Sequence, residues 1–252
     1  MKIDFPTPGQ GQQMVGLWQD AFGDSLEFIE GFFCTAYSPS RCRCLTVDGR
    51  VAAGLYWLDV QYEDQRFAYL YAVAVAKEFR GRGLCRCLME DTHSHLTLRG
   101  YDGVLLYPAT DDLRTLYTKL GYEPATTVSR FSCTAGTEPT TLHRIDRDEY
   151  ARLRRTYLPE NGVLQENENI AFQEMFAFFY AGNDFLLTAR KKGSQLTALE
   201  LLGNTSAAPG ILAALNCTEG TFQIPGQDIP YAMFRPLRPE ARKPGYFGFA
   251  FN

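Results

Sequence analysis

Arg80-Gly81-Arg82-Gly83-Leu84-Cys85 gathers within six residues the groups that can hold an anion. The segment follows the apolar run Phe67 to Val75 and opens a helical pattern. Backbone N–H groups in a strand–loop–helix turn, together with the helix N-terminus, present partial positive charge. Gly81 and Gly83 allow left-handed backbone and close approach of a ligand. Arg80 and Arg82 add formal charge suited to phosphate. A surface turn with two arginines is compatible with the same residues. The dinucleotide fingerprint Gly-x-Gly-x-x-Gly is not met, because Arg86 stands at its third glycine, and no P-loop occurs in the chain.

A second motif lies downstream. Asp112 to Tyr122 reads Asp-Leu-Arg-Thr-Leu-Tyr-Thr-Lys-Leu-Gly-Tyr. Leu113, Leu116, Tyr117 and Leu120 fall on one helical face. Asp111 or Asp112 can cap its start, and Gly121 can take the left-handed position after its end. A buried phenol at Tyr117 would keep its proton at neutral pH and could serve as an acid. It could equally be a core aromatic.

The two motifs together resemble the GNAT superfamily of acyl-CoA-dependent N-acyltransferases. Arg80-x-x-Gly83-x-Cys85 resembles its pyrophosphate loop, Arg/Gln-x-x-Gly-x-Gly/Ala, and Asp112–Tyr122 its late tyrosine helix. Cys85 and Thr110 depart from the small residue and the asparagine common there. The resemblance covers about Asp4 to Cys133, half the chain. It implies acetyl-CoA as co-substrate and no metal. The amides of Gly81, Arg82, Gly83, Leu84 and Cys85, with Arg80, would hold the pyrophosphate. Val73, Ala74 and Val75 would bind the pantetheine arm, and Tyr117 would protonate the departing thiolate. The family's base or water wire often begins on the central strand, where this chain offers Tyr69 and Tyr71 instead of a carboxylate. Tyr69 could orient a water, Glu63 or Asp59 could steer a cation, and the terminal carboxylate of Asn252 is a remote candidate. The implied reaction is direct attack by a small-molecule or peptide amine in a ternary complex. A non-catalytic acyl-CoA-binding sensor is the alternative.

These residues need a frame to position them. Gln12–Phe22 and Leu26–Tyr37 read as amphipathic helices. Arg43–Val47 and Val51–Gln61 read as a hairpin about Asp48-Gly49, with Asp59, Glu63 and Asp64 towards its far end. Phe67–Val75 is the central strand, Leu84–Leu98 a helix closed by Gly100, and Val104–Tyr107 a short buried strand. The tyrosine helix and a strand near Thr126–Cys133 complete the order. That order matches the GNAT fold, an α/β mixed sheet with helices on both faces. His93 and His95 are placed on the outer surface of the helix after the loop.

Ala135–Thr140 reads as a linker between residues 1–137, the GNAT-like domain, and residues 138–252. The second part repeats the opening weakly: Arg144-Ile145-Asp146 against Lys2-Ile3-Asp4, and Phe178-Phe179 against Phe32-Phe33. Helices are expected over Arg147–Tyr157, Glu168–Ala181 and Pro209–Cys217. Strands are expected over Phe185–Ala189 and Leu196–Leu202, near Phe222, and over Tyr231–Phe234 and Tyr246–Phe251. Phe172, Phe176 and Phe179 read as a core stripe. Without a glycine loop or tyrosine motif, this part resembles the degenerate half of bacterial two-lobed members. An unrelated α+β lobe remains open, as does a role in dimerisation or acceptor recognition.

Composition excludes several classes. A net charge of −4 over 252 residues argues against non-specific nucleic-acid binding. The longest apolar run, Phe67–Ala76, is too short to span a bilayer. No apolar signal region opens the chain, so a cytoplasmic protein is expected. Seven cysteines, an odd number, exclude a complete disulfide framework. Cys85 and Cys87 project about 200° apart on a helix and cannot share a metal.

Overall fold

The computed structural model describes residues 1–251. In chain order the elements are β1 (Lys2–Asp4), α1 (Pro8–Phe22), α2 (Leu26–Thr35), β2 (Cys42–Val47), β3 (Arg50–Tyr62), β4 (Gln65–Val75), α3 (Leu84–Leu98), β5 (Gly103–Leu106), α4 (Asp111–Thr118) and β6 (Glu123–Pro124). They continue with β7 (Thr127–Thr134), β8 (Leu142–Ile145), α5 (Arg147–Tyr157), α6 (Glu168–Glu174), β9 (Phe178–Gly182), β10 (Phe185–Lys192), β11 (Gln195–Gly203), α7 (Ala208–Ala214), β12 (Glu219–Pro225), β13 (Ile229–Pro230) and β14 (Met233–Pro236).

The chain forms two compact units. The first comprises Met1–Glu123 with Met233–Lys243, and the second Pro124–Ala232 with Pro244–Asn252. This differs from a break near residue 137, and strand pairing explains why. The strand expected to finish the first sheet, β7, pairs antiparallel with β12 and β13 instead. Its place beside β5 is taken by β14, through Met233↔Leu106 to Pro236↔Gly103.

Local signals set the helices of the first unit. Thr7 and Gln10 form a reciprocal capping box at α1, which ends on left-handed Gly23. Ser25 caps α2. After α4, Tyr122 N–H reaches Tyr117 O and Gly121 N–H reaches Thr118 O, a Schellman closure with Gly121 at φ +83°. Gly100 closes α3 in the same way. The cap of α4 is Thr110, whose hydroxyl accepts from Leu113 N–H, rather than Asp111 or Asp112.

The first sheet runs β1-β2-β3-β4-β5-β14-β6. On one face Leu84, Leu88, Met89 and Leu96 of α3 pack against Leu55, Trp57, Ala68 and Leu70, with Tyr117 and Leu120. On the other face Trp18 of α1 and Phe32 of α2 pack edge-on or tilted against Tyr56 and Tyr71.

The second sheet repeats this plan. Its order is β8-β9-β10-β11-β12-β7-β13, with β11–β12 the parallel pair as β4–β5 is in the first. Both sheets carry a bulge beside the end of that parallel pairing. In β4 it centres on Ala72, at φ +49°, and in β11 it inserts Leu199. The repeat is eroded: α7 has 7 residues where α3 has 15, and only residues 226–228 separate β12 from β13. There is no second tyrosine helix among the described residues.

Three expectations for this unit are corrected. The helix expected over Glu168–Ala181 ends at Glu174, and Phe178–Gly182 is strand β9, paired with β8 and β10. Phe176 therefore lies beyond the helix. Tyr231–Phe234 is not one strand: β13 ends at Pro230 and β14 starts at Met233. Tyr246–Phe251 alternates like a strand but forms no ladder beyond an isolated bridge, Gly162↔Tyr246. Side chains take its backbone bonds: Gln165 pairs both ways with Phe249, and Gln223 donates to Gly248 O.

Glu200 sits beside that segment. Its carboxylate accepts from Arg154 (2.8 and 2.9 Å), Tyr150 (2.9 Å) and Tyr246 (2.9 Å), all fully buried. A Cβ on Gly248 would lie 1.9 Å from Glu200 Oε1, so only glycine fits.

Candidate active site

β4 ends at Val75, and a single 3₁₀ turn, Lys77–Phe79, carries the chain to the glycine loop. Phe79 is buried and anchors the turn, whereas Arg80 to Gly83 are exposed. Gly81 and Gly83 both have φ +74°, and a Cβ on either would meet nothing within 4 Å. Glycine is therefore required by backbone angle, and open space remains above the loop. Gly83 caps α3 without a side-chain acceptor. No N–H from Gly81 to Arg86 has an acceptor among the described residues. Six consecutive free donors at the start of a four-turn helix form an anion cradle.

The loop's arginines differ in setting. Arg80 turns back so that Nε donates to Val75 O at 3.0 Å. The Arg82 guanidinium lies 5.4 Å over the Phe79 ring. Neither makes an ion pair among the described residues.

β4 opens beside this cradle. Its pairing with β5 runs from Phe67↔Gly103 to Leu70↔Leu106 and stops. Beyond Leu70 that edge of β4 is not paired with β5. Ala76 N–H donates to Ala52 O on β3 (2.9 Å). Because strand N–H groups alternate sides, those of Val75 and Val73 point away from β3 to the open edge, and that of Ala74 points towards β3. The sequence expectation for Val73–Val75 thus resolves into two edge donors and one ladder residue.

Tyr117 meets the loop through the first turn of α3. It is 6% exposed and shares a cluster with Leu84, Leu88 and Cys85. Burial, with the neighbouring Cys85, raises its pKa above the ordinary phenol value, so it stays protonated at neutral pH. Its hydroxyl has no hydrogen-bond partner among the described residues. Burial likewise raises the Cys85 thiol. Tyr69 is 1% exposed on the other face of β4, its ring 6.0 Å from that of Tyr71. The cradle, Val73, Val75 and Tyr117 are brought together, and Tyr69 stands apart from Tyr117 across the strand.

The remoter candidates are engaged elsewhere. Glu63 and Asp64 pair with Arg242, and Asp59 accepts from Tyr101 and from Arg66 (3.0 Å). Asn252 lies outside the described residues. The placement of His93 at an outer surface is wrong: it is 5% exposed and shares a 2.7 Å hydrogen bond with Tyr122. Its spacing from Met89 and Leu96, four and three residues away on the buried face of α3, was the available signal. His95 is half-buried against Phe5.

Sequence reasoning also missed Asp24. It accepts from Trp18 Nε1 at 2.7 Å, and its charge adds to burial in raising the Tyr71 pKa. This carboxylate closes the aromatic group formed by Trp18, Phe32, Tyr56 and Tyr71.

Strand opening, glycine loop with free N–H groups and protonated phenol thus lie together in the first unit. Residues 2–125, 124 of the 252, match the family model described as an acetyltransferase (GNAT) domain, and that segment belongs to the family. A curated relative, mycothiol acetyltransferase of Nocardia farcinica, is 39% identical over 75 residues, covering 29% of this chain. The chain spans about a quarter of that relative's length, as the match covers 25% of it. Two solved structures share the fold across both units. A GCN5-related N-acetyltransferase from Anabaena variabilis aligns at TM-score 0.74 and 18% identity, over 96% of this chain and 75% of that one. One from Kribbella flavida aligns at TM-score 0.72 and 20% identity, over 94% and 72%. Among the described residues no helix is long and apolar enough to cross a membrane.

Proposed function

We propose that the protein is an acetyl-CoA-dependent N-acetyltransferase acting on a primary amine of a small molecule or peptide. The observation that carries this reading is the row of free N–H groups from Gly81 to Arg86 beside a protonated Tyr117. The donor set suits a diphosphate: backbone amides and a helix N-terminus, with Arg80 and Arg82 adjacent. The coenzyme supplies an activated acetyl thioester. Val73 and Val75 offer edge N–H groups to the pantetheine arm, and one of them can polarise the thioester carbonyl as negative charge develops there.

Tyr117 donates its proton to the departing thiolate. Its raised pKa does not oppose this, because burial raises a thiolate in the same site as well. A neutral amine attacks directly, with no covalent enzyme intermediate. Tyr69 is the candidate for orienting a water that takes the amine's proton. The two-unit chain is compatible with a homodimer.

One observation favours the alternative, a non-catalytic acyl-CoA-binding module: β4 presents Tyr69 and Tyr71 where a carboxylate base would stand. Thiol release from acetyl-CoA over an amine panel separates the two readings. Turnover is expected, with kcat in Tyr117→Phe lower by about 100-fold or more and coenzyme affinity unchanged. Coenzyme binding by the native protein without turnover on any amine would establish the binding module instead.

A further inference from the structure

The second unit keeps the opening of its parallel strand pair but not the glycine loop. β11 leaves β12 after Ala198↔Phe222. There a cavity of about 220 Å³ opens within the unit, with Arg130, Arg190, Gln173, Gln223, Phe249 and Phe251 among its lining residues.

Two of its lining residues, Arg130 and Arg190, are exposed arginines. Among the described residues that line it there is no carboxylate. Arg190 has no ion pair among the described residues, and Arg130 meets only the neutral Gln223 Oε1, at 3.1 and 2.9 Å. Gln223 is held rigidly, because its Nε2 donates to both Leu199 O and Gly248 O (3.1 Å each). That fixes Gln223 Oε1 towards Arg130 and sets the guanidinium in place. Gln173, 2% exposed, also lines the cavity. Phe249 and Phe251, with ring centroids 6.3 Å apart, add an apolar wall.

Two guanidiniums without an ion pair among the described residues, with an amide and aromatic rings beside them, fit one ligand chemistry. We propose that this cavity binds a small anion with an apolar body, a carboxylate or a phosphate monoester, its charged end between Arg130 and Arg190 and its body against Phe249. The site does not depend on the acetyl-transfer reading.

Calorimetry on the full chain at constant ionic strength tests it, with benzoate, phenyl phosphate and, as a cation of similar shape, benzylamine. Saturable binding of benzoate or phenyl phosphate but not benzylamine is expected, and the stronger of the two identifies the headgroup. Arg190→Gln should weaken that binding about tenfold or more, as loss of a charge-assisted hydrogen bond does. Its coenzyme A affinity should be unchanged, which also reports an intact fold. Gln173→Leu should weaken anion binding as well. Absence of saturation by about 10 mM of either anion, or equal affinity in native and Arg190→Gln proteins, would overturn the proposal.

Discussion

His93 Nε2 stands 2.7 Å from the Tyr122 hydroxyl inside the first unit's core, and Tyr122 in turn packs edge-on against Tyr117, with ring centroids 5.8 Å apart. A helix residue that reads as a surface polar group therefore braces the turn after α4. Burial, helped by the charge of Arg235, lowers the His93 pKa to about 3. The folded chain holds this imidazole neutral, while the unfolded chain protonates it near pH 6.5.

Stability from this group is complete above about pH 6.5 and is lost as pH falls towards about 3, because the unfolded state takes up the proton first. From pH 7 to pH 5 it should cost about 2 kcal/mol. Urea unfolding at the two pH values measures it. His93→Leu should flatten that part of the dependence while losing about 1–3 kcal/mol at pH 7, where Tyr122 is left unpartnered. An unchanged pH slope in the variant would remove His93 as the source.

Gly83→Ala tests the cradle. No atom crowds the missing side chain, so the expense is that of a left-handed alanine, about 1–2 kcal/mol by chemical denaturation. The free N–H groups follow from this backbone, so coenzyme A affinity should fall by about tenfold for each 1.4 kcal/mol of donor geometry lost. Unchanged affinity would show that the diphosphate is held elsewhere.

Removing one side of the Arg154–Glu200 pair should destabilise the second unit strongly. Arg154→Met leaves a carboxylate with two tyrosine donors and no counter-charge in the core. A loss of about 3–5 kcal/mol is expected in denaturant titration. A loss below about 1 kcal/mol would mean that water reaches Glu200.

Features set by a few neighbouring residues were legible in the sequence. The glycines at 81, 83, 100 and 121 each mark a backbone angle that no other residue takes easily, so loop and helix ends could be placed. Asp48-Gly49 marked the hairpin of Arg43–Val47 with Val51–Gln61, and the apolar run Phe67–Val75 marked the central strand. Partner choice was not legible. Thr127–Thr134 and Met233–Pro236 are both plausible strands, and nothing in either says which sheet it joins. Phe172, Phe176 and Phe179 keep helical spacing across a helix that stops at Glu174, because Phe178-Phe179-Tyr180 favours a strand. Tyr246–Phe251 has strand alternation, but its backbone bonds go to distant glutamines.

The exchange of β7 and β14 also bears on how the molecule is made. A ribosome that has delivered residues 1–123 has not yet supplied the strand that flanks β5, which arrives only with Met233–Pro236. Completion of the N-terminal sheet during translation must therefore wait until residue 236 has been made. No single cut in the gene can yield both sheets whole.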